Sequence, residues 1–260
     1  MNNKRVEQID KEIKTMKKIR FSHLFFNLIL LGIILFCLFK IGLWFYDNYK
    51  SSKVKKNYKD VQEKIDNTNI DKIKKEEINI KELKNQNSDT VGWLKVNNTD
   101  ISYPIVKTND NEYYMNRSFD KSYNSAGWPF IDYKNKLDGT DKNIVIYGHN
   151  RRNGDMFGTL KKTLREEWYT NKENHEILFI TEKEKQKYQV YAVYEVPNED
   201  YYINTELDDT SYSEFLNKVS SRSYYNFNVN LDTSRPTITL STCSGNDKYR
   251  TVLHAIKKTN

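Results

Sequence analysis

Cysteine is scarce in this sequence, which has only two in 260 residues, Cys37 and Cys243. Two cysteines form at most one disulfide, and Cys37 lies inside the most apolar run of the chain, far from Cys243. A bridge between them is not expected, so the chain is not one of the small secreted domains held together by disulfides. A chain of this length holds one substantial domain plus appendages, whose buried core needs no such cross-link.

Metal-binding spacings and a basic domain are also missing. No HxxEH-type or CxxC spacing occurs, so a metal site is not expected. The formal net charge is +7, but residues 1–60 hold 13 basic and 5 acidic side chains, which leaves 29 basic and 30 acidic for the remainder. The remainder is nearly neutral, whereas a nucleic-acid-binding domain carries its own basic patch. Nucleic acid is therefore not expected as a partner.

The longest apolar run, FSHLFFNLILLGIILFCLFKIGLWFY, covers residues 21–46. A helix of this length extends about 39 Å, enough to cross the hydrocarbon of a bilayer with some tilt. A cleaved signal peptide is the alternative interpretation. No small-residue A-x-A site follows the run, only DNYKSSKVKK, so it is predicted to be an uncleaved transmembrane anchor.

The anchor divides the chain into four predicted parts. Residues 1–20 are a short charged tail, 21–46 the anchor, 47–85 a stalk with N-terminal helices, and 86–260 the folded domain. Five Lys or Arg residues lie within about fifteen residues of each end of the anchor, so the positive-inside rule leaves the orientation open. Long domains cross the membrane largely regardless of such charges, so an extracellular domain is compatible with this tie.

Short segments of β type dominate the folded domain and are rich in Val, Ile, Thr, Tyr and Phe. Helices are expected at 156–171 and 209–223, the second capped by Ser211 or Thr210, and another helix is expected to end near Asn87. Eight short strands with a few inserted helices predict a mostly β fold, a closed and mainly antiparallel barrel. The eight segments are 91–96, 101–107, 127–133, 143–149, 176–182, 187–196, 236–243 and 250–257.

Cys243 ends the alternating run TITLSTC and is followed at once by a polar loop. A thiol becomes a good nucleophile as a thiolate, which requires partial exposure and a positive neighbour. Arg250 begins the next predicted strand, so a tight turn brings it back beside Cys243, where a guanidinium stabilises a thiolate or a carbonyl oxyanion. The alternatives are a small buried hydrophobic side chain for Cys243 and an ordinary charge at the rim of the barrel for Arg250.

His149 ends the buried-looking segment NIVIYGH, again where a strand meets a loop. Cysteine and histidine form a pair of nucleophile and base that the fold, and not the sequence, brings together. The other histidines fit this role poorly. His23 heads the apolar run, His175 lies in the charged segment KENHE, and His254 sits in the middle of a strand, where a packing role is expected.

These segments resemble the sortases, the cysteine transpeptidases of Gram-positive cell surfaces. TLSTC at 239–243 is similar to their TLxTC signature, Arg250 matches the arginine that follows it, and YGH at 147–149 matches the strand of the catalytic histidine. The similarity runs through most of residues 80–258. The helix at 209–223 and the N-terminal helical extension resemble class B more than class A.

The resemblance implies a sortase-type barrel and a thiol transpeptidase that needs no cofactor. Cys243 would attack a threonine carbonyl in a C-terminal sorting motif of a secreted protein, and an amine would resolve the thioacyl-enzyme. His149 would act as general acid and base, usually by reverse protonation in this family, and Arg250 would hold the substrate or oxyanion. Ser241 and Thr242 would bond the substrate backbone; the alternative is that they are ordinary strand residues.

The family also implies partners and a location. The sorting motif would be NPxTx- or xPxTG-like. The acceptor amine would belong to a peptidoglycan precursor or cross-bridge, or to a pilin lysine. The chain would lie in the cell membrane with its N-terminus cytoplasmic and its catalytic domain outside the cell. The acidic calcium site of class A has no counterpart here. The loop SGNDKY between Cys243 and Arg250 is short for class B, which bears on the reach of Arg250.

Two other functions are compatible with the residues alone. A surface cysteine peptidase would use the same Cys243–His149 pair with water as the acceptor. A non-catalytic anchored binding module would simply bury the cysteine. An added amine nucleophile separates the transpeptidase from the peptidase, and alkylation of the folded protein separates both from the binding module.

Overall fold

The computed structural model describes residues 3–56, 78–197, 199–243 and 248–259. The chain divides into two units, Met1–Tyr49 and Lys50–Asn260. Helix α1 (Asn3–Lys56) makes up the first unit and extends into the second. Most of the predicted stalk, residues 57–77, lies outside the described residues, and the four-part division of the chain stays a prediction.

Helix α1 contains one stretch that is long and apolar enough to cross a membrane. It covers Lys14–Tyr46, 33 residues, and its mean hydropathy reaches 2.6. Its large apolar side chains, from Phe21 to Tyr46, are exposed. This stretch includes the whole predicted anchor, residues 21–46, and is the candidate for a single membrane-spanning segment.

The second unit is a closed barrel of eight strands, which confirms the predicted fold. Helix α2 (Ile80–Gln86) precedes it and ends where the sequence predicts a helix end, next to Asn87. Around the barrel the order is β1-β2-β3-β4-β7-β8-β6-β5. The strands are β1 (Thr90–Val96), β2 (Ser102–Val106), β3 (Phe130–Ile131), β4 (Asn143–His149), β5 (Glu176–Thr181), β6 (Lys185–Pro197), β7 (Thr237–Cys243) and β8 (Tyr249–Lys257).

Most neighbouring strands are antiparallel, but β2 with β3 and β4 with β7 are parallel. The barrel interior is filled by apolar side chains from every strand, among them Trp93, Ile146, Val193 and Leu253. Strands β4 and β7 pair along their whole lengths, so their carboxyl ends meet at the same rim of the barrel. That rim holds the residues that the sequence predicts to be catalytic.

A second core lies outside the barrel wall. Helix α4 (Asp209–Ser221) places Tyr212, Phe215 and Leu216 against residues of β6 and β8 such as Tyr194 and Val252. Its cap is Asp208, whose carboxylate accepts from the Ser211 amide at 2.7 Å while the Ser211 hydroxyl bonds the Asp208 amide at 2.9 Å. The predicted cap at Ser211 or Thr210 is therefore wrong, because Ser211 is the third helical residue of a capping box.

Two predicted elements are shorter than their sequence patterns indicate. Only Phe130–Ile131 of the segment 127–133 forms a strand, because Gly127 has a positive φ of 60° and Pro129 has no N–H to donate to a ladder. The helix expected at 156–171 breaks into a 3-10 turn, Leu160–Leu164, and the short helix α3 (Glu166–Thr170). The break is Arg165, whose backbone is extended.

Candidate active site

The pairing of β4 with β7 brings two of the predicted catalytic residues together. In their parallel register each residue of β4 lies beside the residue 94 positions later, and the last pair is His149 with Cys243. Each therefore sits at the end of its strand, where the chain turns into a loop. Of Cys243 the structure describes the backbone alone, so this register is what places it beside His149.

One face of β4, β7 and β8 is marked by polar contacts between the strands. The Thr239 hydroxyl bonds Asn143 Oδ1 at 2.6 Å and His254 Nδ1 at 2.8 Å, so these residues share the outer face of the barrel. Side chains alternate between faces along a strand. Alternation from Asn143 and Thr239 assigns positions 149 and 243 to that same outer face.

Arg250 lies close to this pair along the neighbouring strand. The antiparallel register of β7 and β8 ends at Ser241 opposite Val252, and two residues further along each strand are Cys243 and Arg250. Arg250 is half-buried and pairs with Val196 of β6 through its backbone. Residues 244–247 of the short connecting loop lie outside the described residues, so the predicted effect of loop length on the reach of Arg250 stays a prediction.

The imidazole of His149 is held from the side of the β2–β3 connection. Its Nε2 lies 2.6 Å from the backbone carbonyl oxygen of Met115. Burial lowers the pKa of His149 below its usual 6.5; the Met115 carbonyl acts in the opposite direction, and the charge of Arg151 lowers the pKa further. The net effect favours the neutral imidazole at neutral pH, the form that accepts a proton.

Glycine before His149 allows the end of β4 to pack closely. A Cβ at Gly148 would lie 2.6 Å from the ring of Phe157, which is fully buried in the barrel core. Phe157 also donates its backbone N–H to the His149 carbonyl at 3.0 Å, which closes the turn after the strand. The YGH segment thus sets the position of His149 through a contact that only glycine permits.

Comparison with known proteins identifies this arrangement. The Sortase domain family model matches residues 94–258, which include both strand ends and Arg250. The chain belongs to the sortase family. Sortase B of Listeria monocytogenes is 35% identical over 227 residues, covering 86% of this chain and 90% of the relative.

Solved sortase structures share the fold. A Staphylococcus aureus sortase B–substrate complex is 26% identical with a TM-score of 0.69, over 82% of this chain and 96% of the other. A sortase B complexed with triglycine is also 26% identical with a TM-score of 0.69, over 82% and 97% of the two chains. Among sortases this chain therefore falls in class B, and it is a cysteine transpeptidase that anchors surface proteins.

Ser241 and Thr242 of the sortase chain are both buried next to the predicted nucleophile. The Ser241 hydroxyl lies 3.1 Å from the hydroxyl of Tyr202, and the Thr242 hydroxyl accepts from the Thr251 amide at 2.9 Å. These bonds connect β7 to its neighbours within the protein. The idea that the two residues bond the substrate backbone stays a prediction.

His254 of the sortase is the centre of a buried polar chain. The Asn143 amide nitrogen donates to the carbonyls of Tyr202 and Asn204, at 3.3 and 3.0 Å, so its Oδ1 faces Thr239. The Thr239 hydroxyl therefore donates its hydrogen bond to Asn143 Oδ1. His254 must then donate from Nδ1 to Thr239. Its Nε2 is left to accept from the Tyr194 hydroxyl at 2.9 Å. This is the packing role that the sequence predicts for His254.

Sequence reasoning missed two residues beside His149 of the sortase: Met115, whose carbonyl contacts the imidazole, and Gly127, where an added Cβ would meet it. Met115 acts through its backbone carbonyl, which no side-chain pattern reveals. Gly127 would be detectable only as a glycine before the buried Trp128. Within the described residues, no group of three or more His, Cys, Asp or Glu side chains is arranged to hold a metal ion.

Proposed function

We propose that this sortase, anchored in the membrane by α1, cleaves a C-terminal sorting motif of secreted proteins through a thioacyl intermediate and joins the threonine carboxyl to a cell-wall amine. The motif is NPxTx- or xPxTG-like, and the folded domain lies outside the cell with the N-terminus in the cytoplasm. The observation that carries the proposal is the β4–β7 register, which pairs His149 with Cys243 at one rim of the barrel.

The chemistry needs one nucleophile, one proton carrier and one oxyanion donor. The Cys243 thiol gives its proton to His149, and the resulting thiolate attacks the threonine carbonyl and forms a tetrahedral intermediate. His149 then gives a proton to the leaving amine, the peptide C–N bond breaks and a thioester remains. In the second half, the incoming amine loses a proton to His149 and attacks the thioester. A new amide forms, and the sulfur leaves as a thiolate that takes this proton back from His149.

Two relatives support the choice of partners. The Staphylococcus aureus sortase B was solved with a substrate, and another sortase B with triglycine, a short peptide that carries a free amine. A peptidoglycan precursor or cross-bridge amine is the proposed acceptor for this chain. The exposed apolar stretch Lys14–Tyr46 supports the membrane as the third partner.

The test uses the full chain in detergent micelles with a panel of sorting-motif peptides. Intact-mass spectrometry should detect a thioacyl adduct on the wild-type protein, and adding triglycine should convert the adduct to a longer amide product. Hydrolysis alone, with no amide product at any amine concentration, would favour the cysteine peptidase. Absence of any adduct on a folded, reduced protein whose Cys243 resists alkylation would contradict the proposal.

Replacing Arg250 with lysine should lower kcat/KM for peptide cleavage roughly 100-fold, since a single ammonium does not reproduce the fixed fork of the guanidinium at an oxyanion. The measurement is steady-state cleavage of a fluorogenic motif peptide. Arg235 lies two residues before β7 begins, beyond the end of the strand that is opposite Cys243. Arg235→Lys is the matched control and should retain wild-type cleavage. Full activity of Arg250→Lys would assign the oxyanion to another group.

A further inference from the structure

We infer that the Met115 carbonyl and Gly127 hold the His149 imidazole in one tautomer, so that Nδ1 is the nitrogen that exchanges protons with the substrate amines. Met115 and Gly127 are positioning residues in this view, since they act through His149. The inference rests on the proposed role of His149 as general acid and base.

The tautomer follows from the partner of Nε2. A backbone carbonyl oxygen only accepts hydrogen bonds, so Nε2, 2.6 Å from the Met115 oxygen, must carry the hydrogen. A neutral imidazole has one N–H, which leaves the lone pair on Nδ1. The base of the reaction is the nitrogen with the lone pair, and that nitrogen is Nδ1.

The Met115 carbonyl is itself held in place. Met115 ends the 3-10 turn Tyr113–Met115, and the buried Tyr114 next to it bonds two residues at the α2–β1 junction. Its hydroxyl accepts from the Asn87 amide at 2.7 Å and donates to the Asp89 carboxylate at 2.8 Å. The Tyr114 carbonyl accepts from the Trp128 amide at 2.9 Å. The side chain and the carbonyl of Tyr114 are thus both bonded, which holds the turn that carries the Met115 carbonyl.

Gly127 leaves the space that the imidazole occupies. Its φ is +60°, and an added Cβ would lie 2.7 Å from His149 Cδ2, 2.8 Å from the Met115 oxygen and 2.6 Å from the Tyr114 oxygen. Cδ2 is the ring carbon bonded to Nε2. A side chain at position 127 would therefore push apart the two atoms of the Nε2–Met115 hydrogen bond.

In this arrangement a single nitrogen of His149, Nδ1, acts both as the acid and as the base. When Nδ1 takes up a proton, Nε2 keeps its hydrogen bond to Met115, and the carbonyl stabilises the resulting imidazolium. When Nδ1 gives up the proton to a leaving amine, the ring returns to the same tautomer. No rotation of the ring is needed between the two halves of the reaction.

The first experiment determines the tautomer without measuring activity. Long-range proton–nitrogen NMR correlations on the full chain, labelled with ¹⁵N-histidine, distinguish the N–H nitrogen from the unprotonated one, and His149→Gln assigns the signal. His149 should show Nε2–H, and His254 should show Nδ1–H in the same spectrum, as its bond to Thr239 requires. An Nδ1–H tautomer or an averaged signal for His149 would overturn the inference.

The second experiment tests Gly127 with a matched glycine. Gly127→Ala should lower kcat about 100-fold with a smaller change in KM and should shift the His149 nitrogen signals, since small misplacements of a catalytic group have effects of this size. Gly139 also has a positive φ, +96°, but a Cβ added there would meet no atom within 4 Å, so Gly139→Ala reproduces the backbone strain alone. It should stay within about two-fold of wild type.

Unchanged kcat and unchanged nitrogen signals in Gly127→Ala would contradict the role of Gly127 in positioning His149. If the variant does not fold, the wild-type spectrum still tests the tautomer. His149→Gln separates this inference from the proposed function. If His149→Gln retains full activity, the proposed function fails. If it is inactive while the wild-type imidazole carries its hydrogen on Nδ1, only the inference fails.

Discussion

Replacing Cys243 with alanine should lower motif-peptide turnover by about 10⁴-fold or more, because no other group in the mechanism forms the thioester. The strand should remain, since β7 is joined to β4 by backbone hydrogen bonds that alanine also makes. Turnover of the fluorogenic peptide and the intact-mass adduct measure the loss, and circular dichroism measures the fold.

The chain supplies a matched control for this substitution. Cys37 is the other cysteine, and it lies exposed on the apolar part of α1. Cys37→Ala should retain wild-type turnover and the full adduct mass. Comparable turnover in Cys243→Ala and wild type would contradict the assignment of Cys243 as the nucleophile.

The second large effect concerns stability at acidic pH and originates at His254. Burial lowers the pKa of His254 to about 3, whereas in an unfolded chain it is about 6.5. Below pH 6.5 the unfolded chain takes up a proton that the folded chain refuses. As the pH is lowered from about 6.5 to about 3, the free energy of unfolding should therefore decrease. This group contributes up to about 1.4 kcal/mol per pH unit to the decrease.

Urea unfolding of the full chain at several pH values between 4 and 7.5, followed by tryptophan fluorescence, measures this dependence. Burial also lowers the pKa of His149 and His175, so both residues add to the loss of stability at acidic pH. The contribution of His254 is therefore measured by comparing the pH dependence of a His254 variant with that of wild type. His254→Gln should be less stable at pH 7 but have a flatter pH dependence than wild type. Equal slopes for His254→Gln and wild type would contradict the prediction.

Much of the barrel is predictable from the sequence because its strands carry β-type residues between clear breaks. Strand β4 begins and ends at the predicted residues, Asn143 and His149. The pattern fails where a backbone feature overrides it, as at Gly127 with its positive φ and at Arg165 with its extended backbone. Such conformations depend on packing against distant segments, which a local pattern does not contain.

The candidate site also contains some residues that the sequence predicts and others that it does not. Cys243, His149 and Arg250 are chemically distinctive residues at strand ends, and their residue types alone make them candidates. The Met115 carbonyl has no distinctive type, since every residue has a backbone carbonyl. Its importance follows from the 2.6 Å contact with His149, which arises from the path of the β2–β3 connection.

The parallel pairing of β4 with β7 also bears on how the protein folds. Its partners are separated by 94 positions in the chain, so closing this loop opposes folding by about 4 kcal/mol of chain entropy. Pairings between such distant segments form slowly compared with helices and hairpins. During synthesis the chain can therefore build α1, β1 and β2 long before His149 meets its partner strand. On the proposed mechanism, the chain becomes active only when the barrel closes, because in a nascent or partly folded chain the proposed nucleophile Cys243 does not yet lie beside the proposed base His149.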